Sequence, residues 1–129
     1  MRLLLDTHVL IGLSTARLAL THPAISFALA RAKHDTCASV VGLWEIAIKT
    51  RLGKLDPGLP LADLAAFFEA AGLAILPIDQ THVVAEIYPE PTTRDPFDRL
   101  LLAQCKVERR MLVTVDQAIV GHPLAVTSF

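Results

Sequence analysis

The chain has 129 residues, 53% of them hydrophobic and 19% charged, with a formal net charge of −1. That length buries a sizeable core without staples, so one domain over residues 1–129 is expected. The charge balance excludes a protein that holds nucleic acid by bulk electrostatics, while leaving room for an enzyme that grips a few phosphates through metal ions.

In chain order, Leu3 to Leu5 is a short apolar run that predicts a buried parallel strand with Asp6 at its carboxyl end. Thr7 to Leu13 predicts a short helix. A second helix is expected from about Thr21, with Pro23 in its first turn, to about Lys33. Thr36 to Ala38 reads as a second strand. Ser39 is a suitable cap for a helix over Val40 to Leu52, closed by Gly53. Pro57, Gly58 and Pro60 mark a loop. Leu61 to Ala71 reads as a helix ended by Gly72, Leu73 to Leu76 as a third strand, and Thr81 to about Ile87 as a short helix.

The segment RDPFDRLLLAQC, from Arg94 to Cys105, carries a strong helix start. Pro96 suits the first helical position, Asp95 the N-cap before it, and Asp98 the first turn. An Asp95–Arg99 pair at i,i+4 adds support. Arg109 and Arg110 suit a helix C-terminus. Leu112 to Val115 predicts a fourth strand leading into Asp116, and Val126 to Ser128 a fifth at an edge. Short strands alternating with helices imply an α/β domain with a parallel sheet.

Cys37 and Cys105 lie in apolar surroundings without metal-type spacing and read as core thiols. The run MRLLLDTHVLIGL imitates a signal peptide, but Asp6 and His8 interrupt it. No apolar stretch is long enough to span a membrane, and a cytoplasmic protein is expected. With so few charged residues, an oligomeric or heteromeric interface is expected as well.

In open α/β sheets, ligands bind outside the carboxyl ends of the strands. Asp6 and Asp116 follow apolar strands, Glu45 lies in the first half of the helix after the second strand, and Asp98 opens the helix at Pro96. Four carboxylates can therefore converge on one rim. Such a cluster stays ionised only with cations among its members, and hard Mg²⁺ or Mn²⁺ suits oxygen ligands. The chemistry implied is metal-assisted phosphodiester hydrolysis. Each acid also has a plainer use. Asp6 can cap a helix, Glu45 can pair with Lys49, Asp98 can pair with Arg94 or Arg99, and Asp116 can shape a turn. Capping explains Asp95 in full. The scattered histidines show no zinc spacing. Lys49, Arg51 and Lys54 read as a solvated face that can also receive phosphates.

The segments LLLDTHVLIGL, SVVGLWEIAIKTRLGKL, RDPFDRLLLAQ and LVTVDQAI, in this order, resemble those of PIN-domain ribonucleases, and of VapC-type toxins of toxin–antitoxin pairs in particular. The resemblance implies a PIN-like three-layer domain, with a short central parallel sheet flanked by helices. It implies that Asp6, Glu45, Asp98 and Asp116 are the metal-binding acids, with Thr7 and Thr114 as hydroxyl groups beside them. Asp95, Arg94 and Arg99 are accessory candidates. It further implies RNA as substrate, Mg²⁺ or Mn²⁺ as cofactor, a homodimer, and an antitoxin as partner. The chain departs from the pattern at Gly42, where a small hydroxyl residue or alanine is expected, and at Gln117, often basic. The loop before RDPF also lacks a common histidine. These departures bear on substrate contacts and leave every acid in place.

The alternatives are a non-toxin PIN nuclease in RNA processing, a non-catalytic α/β binding module, and a phospho-acceptor domain. The last needs a paired acidic cluster after the first strand and a lysine after the last. Asp6 stands alone and that lysine is missing. A dehalogenase-like phosphatase needs an acid where His8 stands.

Overall fold

The computed structural model describes residues 1–31 and 33–129. Strand β1 is Arg2–Leu5, and its three leucines are at most 1% exposed. Period-two alternation explains how all three are buried. Leu3 and Leu5 face one apolar cluster with Val9, Leu10 and Phe68, whereas Leu4 faces another with Leu101, Leu102 and Cys105. A strand covered on both faces reads as a continuous apolar run, as expected for a parallel sheet.

The remaining elements are α1 (Thr7–Ser14), α2 (Leu18–Thr21), α3 (Pro23–Arg31), β2 (Asp35–Ser39), α4 (Val40–Arg51), a 3₁₀ turn (Leu61–Asp63), α5 (Leu64–Ala70), β3 (Ala74–Leu76), α6 (Gln80–Val84), α7 (Pro96–Glu108), β4 (Met111–Val113) and β5 (Ala125–Val126). The five strands form one parallel sheet in the order β3-β2-β1-β4-β5. From β1 the chain winds outward to β2 and β3, then crosses back through α6 and α7 to β4 on the other side. The strand order therefore reverses between β1 and β4, where α/β sheets open a crevice.

The expected elements are present, with shifted bounds. The helix expected from Thr21 to Lys33 starts at Pro23 and is assigned to Arg31, and Ala32 lies outside the described residues. Before it, Leu18–Thr21 forms a separate turn that packs Leu18 into the core, a helix too short to show periodicity. The helix expected over Leu61 to Ala71 opens as a 3₁₀ turn. The helix expected to Ile87 stops at Val84, because Ala85 turns extended and sends Ile87 into the second core cluster. Strand β4 ends at Val113, short of Val115, and β5 is Ala125–Val126, not Val126–Ser128, set by pairing Leu112 with Ala125 and Val113 with Val126.

Arg109 and Arg110 do not simply decorate a helix end. Arg109 takes the left-handed conformation that closes α7. Arg110 is buried and reaches the amino edge of the sheet, where Nη1 donates to the carbonyls of Leu3 and Asp35 and to Asp35 Oδ1 at 3.0 Å. This guanidinium holds the Asp35 carboxyl below its usual range.

Candidate active site

The candidate site lies at the switch between β1 and β4. Asp6 leaves β1 in extended geometry and caps α1, with Oδ1 accepting from the Thr7 amide at 2.7 Å. Its other oxygen, Oδ2, accepts from Thr114 Oγ1 at 2.6 Å, just past β4. The capping and site readings of Asp6 are thus compatible, one oxygen serving each direction. Asp6 is 1% exposed.

Thr7 extends the chain of contacts to α4. Its Oγ1 donates to Glu45 Oε1 at 2.7 Å, and Lys49 Nζ donates to Glu45 Oε2 at 2.7 Å. Glu45 does pair with Lys49, yet it is buried at 3% exposure, while its neighbour Trp44 points out against Phe97. The Glu45 carboxylate raises the pKa of Lys49. Gly42 finds its reason here. A Cβ at Gly42 would stand 3.0 Å from Leu10 Cδ1 and 3.6 Å from Thr7 Oγ1, so an added side chain would make Leu10 give way where α1 packs on α4. Gly42 thus lies where α4 packs closely on Leu10 of α1.

Asp95 caps α7, with Oδ1 accepting from the Phe97 amide at 2.8 Å, and Pro96 takes the first helical position. Asp98 is buried one turn later, and Thr93 Oγ1 donates to its Oδ2 at 3.1 Å. Burial, followed by the charges of Asp95 and Asp6, pushes the Asp98 carboxyl up to about 6, with Asp116 adding to the effect and Thr93 opposing it. Asp116 is half-buried. Its amide donates to Thr114 Oγ1 at 3.0 Å, and its Oδ1 accepts from the Ala118 amide at 2.9 Å. Thr114 therefore bonds both Asp6 and Asp116.

The structure thus joins Asp6, Thr7, Glu45, Thr114 and Asp116 in one hydrogen-bonded chain, with Asp98 charge-coupled to it. Arg94 is exposed. Arg99 turns to Glu90 at 3.2 Å instead of forming the expected pair with Asp95. Sequence reasoning missed Thr93. The signal is its place two residues before Asp95, whose amide donates to Thr93 Oγ1 in a hydroxyl turn. His8 stands at the rim with Nδ1 3.8 Å from Asp6 Oδ2, and that carboxylate raises its pKa.

Among the described residues, no three His, Cys, Asp or Glu side chains form a ready metal-ligand group. The carboxylates turn to hydroxyl, amide and ammonium donors. The donor chemistry nevertheless fits a hard cation. The acids offer only oxygen, and Asp98 is pushed toward its protonated form by burial first and by neighbouring negative charge second.

Fold and site together define a parallel α/β protein with a hydrogen-bonded group of carboxylates at its switch point. The family model for the PIN domain matches residues 3–120, and the chain belongs to the PIN domain family. PIN domains are generally nucleases and typically use divalent metal ions. Among solved structures, the chain is similar to one described as a toxin-antitoxin complex from Klebsiella pneumoniae, at 18% identity and a TM-score of 0.63, over 98% of this chain and 97% of that one. This is a likeness of fold. No curated protein matches the sequence. No helix among the described residues is long and apolar enough to cross a membrane.

Proposed function

We propose that this protein is a Mg²⁺- or Mn²⁺-dependent endoribonuclease and the toxin of a VapBC-type pair, acting in the cytoplasm as a single-domain subunit of a homodimer. The observation that supports the nuclease reading is the hydrogen-bonded group of acids at the switch point, Asp6 tied to Asp116 through Thr114 and joined to Glu45 through Thr7, with the buried Asp98 beside them. Asp6, Glu45, Asp98 and Asp116 would hold the cation. A divalent ion held there would supply charge neutralisation at the phosphate and would lower the pKa of water so that a nucleophile is available at neutral pH.

The chain's own groups prepare that site. Thr114 and the Thr7 amide fix the two oxygens of Asp6, and Thr7 with Lys49 fixes those of Glu45, so neither carboxylate has to be ordered when substrate arrives. Lys49 keeps positive charge beside the crevice, where an RNA phosphate enters. Exposed apolar side chains on α3 (Phe27) and α6 (Val83, Val84) support a covered surface, and thus a second copy or an antitoxin. The toxin–antitoxin context of the similar fold supports the same reading.

The test is cleavage of a mixed-sequence fluorogenic single-stranded RNA with Mg²⁺, Mn²⁺ or EDTA, wild type beside Asp98→Asn. Metal-dependent cleavage lost in the folded variant is the expected result. Full activity in Asp98→Asn would refute the site.

A further inference from the structure

A cleft of about 350 Å³ lies between two loops that lead to and from acids of the candidate site. One wall is Pro89, Glu90, Pro91 and Thr92, from the loop before α7. The other is Gln117 to Ile119 with Gly121, His122 and Pro123, from the loop after β4. Both walls are built on groups of the acidic site. The Ala118 amide donates to Asp116 Oδ1, and the Ile119 amide donates to the Asp116 carbonyl at 3.1 Å. On the facing wall, Thr93 bonds Asp98 while its neighbour Thr92 donates to the Ala118 carbonyl at 3.4 Å. His122 Nε2 donates to the Pro89 carbonyl at 2.8 Å, and its Nδ1 accepts from the Leu124 amide, so the imidazole is a strut between the loops.

We propose that this cleft is a nucleobase subsite, which takes one base of the RNA strand whose phosphate lies in the acidic crevice. The inference rests on the nuclease reading above. Three prolines, Pro89, Pro91 and Pro123, make the cleft lining largely apolar, with the buried Ile119 beneath. Glu90, the acid on the wall, is engaged by the Arg99 guanidinium and does not repel the strand. Gln117 is exposed at the rim, and its amide can both donate to and accept from a base edge. The net charge of −1 gives a physical reason for such a subsite. A chain that neutralises few phosphates gains little from counterion release, so contacts to bases must supply affinity and choice of sequence.

Gly121 offers a direct test. It lines the cleft, and a Cβ there meets nothing within 4 Å, so Gly121→Leu adds apolar bulk at the cleft with room for its Cβ. The probe is a short single-stranded RNA carrying 2-aminopurine at each position in turn, titrated into Asp98→Asn protein. One position is expected to change fluorescence on binding. The response should vanish, and RNA affinity fall about tenfold, when Gly121→Leu is added. Gln117→Ala, at an exposed position, should flatten the base preference of cleavage if the Leu variant misfolds. RNA binding with no responsive position, or a response that survives both substitutions, overturns the subsite. A flat binding isotherm, with no cleavage by wild type, overturns the nuclease reading beneath it.

Discussion

Replacing Asp98 by Asn should stabilise the metal-free protein while removing its activity. The Asp98 carboxyl is raised from 3.8 to about 6 by burial and by the charges of Asp95 and Asp6. At ~1.4 kcal/mol per pKa unit, the ionised group costs the native state at most about 3 kcal/mol. The native state holds the proton more tightly than the unfolded chain does. Stability is therefore unaffected below about pH 4, falls as pH rises through about 6, and stays lower above it. Asparagine has no charge to desolvate and keeps an oxygen for the Thr93 hydroxyl. In denaturant unfolding with EDTA, Asp98→Asn should exceed wild type by about 1–3 kcal/mol at pH 8 and match it at pH 4. Mg²⁺ should close the gap at pH 8 by stabilising wild type alone. A variant that is less stable at pH 8, or a gap that does not change with pH, would refute the account of Asp98 as a carboxylate strained by its neighbours.

Thr7→Val keeps the side-chain shape but leaves the buried Glu45 Oε1 without its hydroxyl donor, so calorimetry should show weaker Mn²⁺ binding and chemical unfolding a loss of about 1–3 kcal/mol. Arg110→Leu removes the links to Leu3 and Asp35 at the far edge of the sheet. It should lower stability by roughly 1.5–3 kcal/mol with kcat unchanged in the folded fraction, because the residue is remote from the acids. Gly42→Val should crowd Leu10 and part α1 from α4, reducing stability by about 1–3 kcal/mol and cleavage with it. A Gly42→Val protein with wild-type melting and turnover would show that the close approach is unnecessary.

The sequence alone determined the alternation of strands and helices, because those signals are local. The apolar run Leu3–Leu5 needs two covered faces wherever it lies, and Pro96 after Asp95 starts a helix in almost any context. Asp6 and Asp98 were legible as candidates for the same reason, since one follows a strand and the other opens a helix that local chemistry marks, whereas Glu45 lies within α4 and has no such local mark. Tertiary structure alone decided what those acids touch. That Thr7 reaches Glu45 and that Thr114 ties Asp6 to Asp116 depend on residues brought together from distant parts of the chain. Hydrogen-bond partners at that separation leave no periodic trace in a single sequence. The glycine at position 42 shows the boundary most clearly. In the sequence it is a departure from an expected pattern, and only the packing of α4 on α1 shows that a side chain there would crowd Leu10 beside the Thr7–Glu45 contact.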